Sequence, residues 1–270
     1  MRLVKQLVVV ALVSLAGSVL TQAMGWNPPL TLVFGLATAA LALLAYRWVV
    51  RKTEKRDPAE ADFRTAPAAL GRGVLIGLGM FAAVIANIAL LGGYEIRGWG
   101  SFGGAVALLG FMAAAAVTEE VMFRGILFRI AEERFGTWIS LVATGVLFGF
   151  VHFFNPNATL WSSTAIAVEA GFMLAAAYAA TRTLWVPIGV HFAWNYAQGG
   201  IFSTSVSGKD APKGLFDGAT SGHAAITGGE FGPEASGYSV LAGVVATVVF
   251  LWLAKRRGTI VPRRTATLAA

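Results

Sequence analysis

The feature that most constrains this chain is a succession of eight apolar stretches, each near or above the roughly 20 residues a helix needs to cross a bilayer. They run approximately from Val4 to Thr21, Pro28 to Val50, Gly73 to Leu91, Gly103 to Arg124 or beyond, Thr137 to Phe154, Ala158 to Thr181, Val186 to Phe202 and Tyr238 to Ala254. Charged residues make up only 13% of the 270, against about a quarter in a soluble domain. That is too few to cover a water-facing surface, so the surplus apolar residues face lipid. The composition excludes disordered, collagen-like, coiled-coil and disulfide-scaffold chains. The expected fold is all-α: one integral-membrane domain over residues 1–270, a bundle of about eight transmembrane helices around a polar cavity open to the cytoplasm. The first stretch, with Arg2 and Lys5 before it and Thr21-Gln22-Ala23 after it, also fits a cleaved signal peptide. The spans that follow keep their direction in either case.

The net charge of +7 suggests a nucleic-acid partner less than it suggests orientation. With the N-terminus inside, only Arg97, Lys209 and Lys213 fall in outer loops. The linker from Arg51 to Arg72, the turn from Arg124 to Arg134, Arg182 and the tail from Lys255 to Arg264 all become cytoplasmic. The expected location is the cell membrane, multi-pass, with both termini cytoplasmic, in contact with lipid and not with nucleic acid. Residues 203–237, polar and glycine-rich, read as a flexible extracytoplasmic loop. The absence of cysteine removes disulfides, a thiol nucleophile and thiolate metal sites.

Ionisable side chains inside spans are costly, by at least about 2.5 kcal/mol each near a helix centre, so each asks for a reason. The clearest are Glu119, Glu120, His152, Glu169 and His191. Glu120 and Arg124 lie four apart on one helical face and are expected to pair. Glu119 points about 100° away and has no built-in counter-ion, which makes it a candidate base. Phe148 precedes His152 by one turn and is placed to cover its imidazole. If spans four and five form a hairpin turning near Phe135-Gly136, Glu119 and His152 each lie about 25 Å from the turn, at matching depth. His191 and Asn195 share a face of the seventh span. His191 sits a few residues inside the cytoplasmic end, which suggests a site in that half of the bilayer. Glu169 has no evident role.

The order E-E-x-x-x-R, F-x-x-x-H, H-x-x-x-N, each on its own span, resembles the CPBP intramembrane proteases. These include the type II CAAX prenyl endopeptidases and the Abi-type, immunity-associated proteins. Each motif alone is weak, but all three in order are specific together. The resemblance covers about Gly103 to Ile201, roughly a third of the chain. It implies an intramembrane endopeptidase in which Glu119 and His152 activate a water, His191 and Asn195 stabilise the oxyanion, and Arg124 holds Glu120. The implied partner is a membrane-tethered protein or peptide, cleaved at a CAAX-type C-terminus or as a precursor. The cofactor is either none or one divalent metal such as zinc, for which Glu119, His152 and His191 form a His-His-carboxylate set. The single-helix H-E-x-x-H signature is absent. Two other readings fit the same residues: a proton-coupled transporter using Glu169, or a non-catalytic membrane scaffold or immunity protein.

Overall fold

A computed structural model describes residues 1–263; Arg264, the last basic residue of the expected tail, lies outside the described residues. The chain forms helices α1 (Arg2–Ala23), α2 (Pro28–Glu54) and α3 (Ala66–Leu90), strand β1 (Tyr94–Trp99), and α4 (Phe102–Glu120). A π-helical stretch, Val121–Phe128, carries α4 into α5 (Arg129–His152). Next come α6 (Leu160–Ile166), a second π stretch (Ala167–Phe172), α7 (Met173–Thr181) and α8 (Trp185–Asn195), which a third π stretch (Tyr196–Ile201) extends. Strand β2 (Phe216–Thr220), the short α9 (Ala224–Thr227) and α10 (Gly237–Arg256) complete the order.

The protein is an all-α membrane bundle. Six helices are long and apolar enough to cross a bilayer. The longest of these, Phe102–His152, breaks at Gly136, whose φ of 76° and ψ of 171° are not helical. Glycine tolerates this backbone because it has no Cβ. The chain reverses there: Phe123 and Phe148, at similar distances either side of the break, meet with ring centroids 4.9 Å apart. The expected seventh span corresponds to α8 and its π extension, a run shorter than the other six.

Helix starts at the end opposite the cationic residues have local causes. Asn27 accepts the Leu30 N–H at 3.2 Å ahead of two prolines that need no donor. Ser101 caps α4 through Gly104 N–H at 2.9 Å, and Ser236 caps α10 through Ser239 N–H at 3.1 Å. Close packing has a sequence cause as well. Gly73 and Gly77, one turn apart on α3, lie against α8, where an added Cβ would come within 2.4 Å of the Val186 and Val190 carbonyl oxygens respectively. Small residues at this spacing allow membrane helices to approach backbone to backbone.

At the cationic end, ion pairs tie the helices together. Arg129 on α5 donates to Glu54 at 2.8 Å, and Arg182 reaches Glu132 at 2.5 Å. Arg56 donates to Glu60 at 2.8 Å, and Tyr46 also donates to Glu60. Burial pushes the Glu60 carboxyl up, but the bonds from Arg56 and Tyr46 outweigh it and hold the group below its ordinary value.

Residues 203–237, expected to be flexible, are folded. β2 pairs antiparallel with β1 across a bulge between Ile96 and Gly98. Gly208 N–H donates to Phe231 O, and Trp161 Nε1 donates to Ala235 O, both at 2.8 Å. Phe231 and Ala235 are buried against Phe123, Phe148 and Ile166. The glycines and polar residues that read as a linker instead let the chain turn tightly over the bundle.

A bulky substitution at the α3–α8 contact tests the close approach. Gly77→Leu should cost about 1–3 kcal/mol or more, because the contacted atoms are backbone and cannot move aside. Thermal unfolding in detergent checks this, and Gly79→Leu, which faces open space, should be tolerated.

Candidate active site

The three helical segments that carry the motif residues meet around one buried ion pair. Glu120 is fully buried, and Arg124, one turn on, is 2% exposed. Arg124 Nη1 donates to Glu120 Oε1 at 2.8 Å, while Nη2 donates to the Ala170 and Gly171 carbonyls at 3.1 and 3.0 Å. Those carbonyls belong to the π stretch before α7. Phe148 of α5 covers the guanidinium, whose carbon lies 4.6 Å from the ring centroid. On the other side, His191 Nδ1 lies 2.9 Å from the same Glu120 oxygen. One carboxylate therefore links α4, the α6–α7 run and α8.

Glu119 points the other way, into a cavity of about 500 Å³. Its side chain is 28% exposed, and its Oε2, itself buried, has no hydrogen-bond partner among the described residues. Oε2 lies 3.8 Å from His191 Nε2, beyond hydrogen-bond reach, so both atoms keep their capacity for a third partner. His152 also lines the cavity. Its Nδ1 is 2.7 Å from Phe148 O, and because a carbonyl only accepts, that nitrogen carries the proton. Nε2 is then the free lone pair in the neutral ring. The His152 ring lies 4.7 Å from the Phe148 centroid. Asn195 lines the same cavity one turn after His191, next to Trp194, whose buried indole N–H has no partner among the described residues.

The expected zinc set is not assembled. Among the described residues, no group of three or more His, Asp or Glu side chains is close enough to hold a metal ion.

The cavity lies toward the end of the bundle opposite the cationic residues. Its walls include Thr21, Gln22 and Trp26 at the far end of α1, Pro156 after α5, and Ser207 and Lys209 of the folded segment. All lie opposite the cationic end. Toward the cationic end, the largest apolar core intervenes, with Tyr46, Val121, Leu174 and Leu184 buried. Counting the depth of His191 from the start of its span misleads because α8 begins under cover. Leu184 N–H donates to Glu60 O at 2.8 Å, and Trp185 Nε1 donates to Asp62 O at 2.9 Å.

Besides the exposed Asp210 next to Lys209, two buried carboxyls line the cavity. Glu169 belongs to the second π stretch; Glu234, in the folded segment, is absent from the motif reading. Glu234 lies in a Gly/Pro-rich stretch where a carboxylate ordinarily reads as solvated, so the sequence carries no signal for its burial. Each of the three π stretches lies at or close to a cavity residue: the first begins two residues after Glu119, the second holds Glu169 and the third follows Asn195. Such irregular turns recur where a helix must re-aim side chains.

Residues 101–197 match the family model described as "Type II CAAX prenyl endopeptidase Rce1-like". Over this region the chain is similar to the type II CAAX prenyl endopeptidases. The matched stretch contains Glu119, Glu120, Arg124, His152, Glu169, His191 and Asn195, and ends before the folded segment that holds Glu234. Comparison with curated proteins and with solved structures gives no match.

Removing the cation at the centre of the site should be far more damaging than an exposed charge deletion. Arg124→Ala leaves Glu120 buried with only His191 as partner and should cost about 3–5 kcal/mol. The fall in unfolding temperature checks this, with Arg97→Ala, an exposed pair, as the near-neutral control.

Proposed function

We propose that the protein is an intramembrane endopeptidase that cleaves a membrane-tethered protein or peptide. Glu119 is the general base. It takes a proton from water as the water oxygen adds to the scissile carbonyl carbon. His152 shares the activation through its free Nε2, and Asn195 donates an amide N–H to the oxyanion. His191, in its protonated form, donates from Nε2 to the same oxyanion. The proton held by Glu119 passes to the leaving amine as the C–N bond breaks. Glu120 and Arg124 are positioning residues that fix the His191 ring from behind.

The observation that carries this reading is the contrast between adjacent carboxylates. Both carboxylates leave Oε2 without a hydrogen-bond partner among the described residues, but Glu120 is paired with Arg124 and His191 through Oε1 and lies outside the cavity lining, whereas Glu119 is bonded to neither and faces the cavity that His152, His191 and Asn195 line. A free carboxylate beside an imidazole suits general-base work, and an amide donor suits a developing negative charge. The family match supports hydrolysis of a peptide bond near a prenylated C-terminus as one substrate class, with a peptide precursor as another. The apolar helices support action within the bilayer. The basic residues of one end support a cytoplasmic location for both termini in a cell membrane.

Glu119→Gln should abolish cleavage of a membrane-tethered peptide while the unfolding temperature stays near wild type. Asn195→Ala should lower kcat by about 10²–10³ with KM little changed, the mark of a transition-state donor. Normal cleavage by Glu119→Gln overturns the assignment. Orientation is tested separately, because the chain has no cysteine. Single cysteines at Lys209 and Lys255 should react with a membrane-impermeant thiol reagent from opposite sides of the vesicle, Lys255→Cys from the cytoplasmic side.

A further inference from the structure

Glu169 and Glu234 come from elements that meet only in the folded chain, and both line the cavity. Glu169 is 1% exposed and Glu234 2% exposed. α10 closes over Glu169 from behind, where a Cβ on Gly243 would come within 2.3 Å of its Cα. No hydrogen bond or ion pair engages the Glu169 carboxyl among the described residues, and Glu234 lines the same cavity. Glu234 is held differently, its Oε2 accepting from Ser207 N–H at 2.8 Å and from Ser207 Oγ at 2.9 Å. Burial nevertheless pushes the Glu234 carboxyl up to about 7.

An unpartnered carboxyl in a buried wall has a large desolvation cost unless it is neutral or meets a cation. The protein offers it none. Arg124 is spent on Glu120 and two carbonyls, and Lys209, exposed at the cavity rim, forms no ion pair with either glutamate among the described residues. His191 acts on Glu234 at longer range but is bonded to Glu120. When either carboxyl is ionised, a cationic partner for it has to come from outside the protein.

We infer that Glu169 and Glu234 form a subsite for a cationic group of the substrate, an ammonium or guanidinium that enters the cavity beside the scissile bond. This rests on the peptidase reading only for the word substrate; binding of the cation itself does not require hydrolysis. The subsite would favour a peptide with a Lys or Arg side chain, or a free amine, over an uncharged one. Two carboxylates flanking one cation in a low-dielectric wall give charge-assisted bonds that a neutral isostere cannot replace.

The test uses the full chain in detergent, with n-butylammonium as probe and n-butanol as its neutral counterpart, read as a shift in unfolding temperature. Wild type should reach a given shift at about tenfold lower concentration of the ammonium than of the alcohol. Glu169→Gln and Glu234→Gln should each remove that preference; the latter lies outside the spans and serves if the former fails to fold. Glu119→Gln should keep the preference while losing cleavage, so failure of the subsite and failure of the peptidase reading give different results. Two peptides separate the sources of the charge: an N-acetylated one carrying Lys, and a free-amine one carrying norleucine in its place. Competition with butylammonium by either identifies the group bound. Competition by neither, equal response to ammonium and alcohol, or a preference that survives both glutamine substitutions overturns the subsite.

Discussion

The bond network centred on Glu120 is what the rest of the site depends on. A carboxylate and a guanidinium buried this deeply pay a desolvation cost that a single ion pair seldom recovers. Here further bonds on Arg124 and on Glu120 Oε1 offset part of that cost, although Glu120 Oε2 has no partner among the described residues. Arg124 also donates to two backbone carbonyls and lies under an aromatic face, and Glu120 also bonds His191. The carbonyls it uses, Ala170 and Gly171, sit in a π stretch, where the helical bonding pattern is disturbed. The network therefore clamps the α6–α7 run and α8 to α4 and leaves Glu119, of the two adjacent glutamates, without an arginine partner.

That clamp also explains the polarity of the bundle. Below it, toward the cationic end, packed apolar side chains and ion pairs close the helices together. Above it, the helices line the cavity and the polypeptide after α8 returns to form a roof. Ser207 and Glu234 join the two ends of that roof, and Phe231 anchors it against the aromatic pair Phe123 and Phe148. The cavity is thus bounded by membrane helices on its sides and by a folded connection on top. A reacting bond inside it would be shielded from lipid and from bulk water, where fixed donors and charges act most strongly.

The spans, the turn at Gly136 and the pairing of Glu120 with Arg124 were legible because each follows from spacing within one helix or from length against bilayer thickness. Less was legible between helices. The short spacing gave Glu120 a partner in Arg124 but did not reveal its bond to His191, 71 positions later. Glu234 was unreadable because a lone carboxylate in a glycine-rich connection carries no periodic signal, and burial is decided by what folds over it. The depth of the site was not readable from His191 because residue counting assumes that a helix starts at the surface, whereas α8 starts beneath the 56–65 segment.

The sequence by itself determined that the chain is a membrane bundle, how its apolar segments divide, and which polar side chains are too costly inside lipid to be incidental. Those properties depend on transfer of each segment into lipid and on the helical repeat, both local to the segment. Only the tertiary structure decided which carboxylate is neutralised, on which side the cavity lies and which distant groups face it. These depend on electrostatics and packing between segments far apart in the chain, where a displacement of a few ångströms separates a bonded carboxylate from a free one.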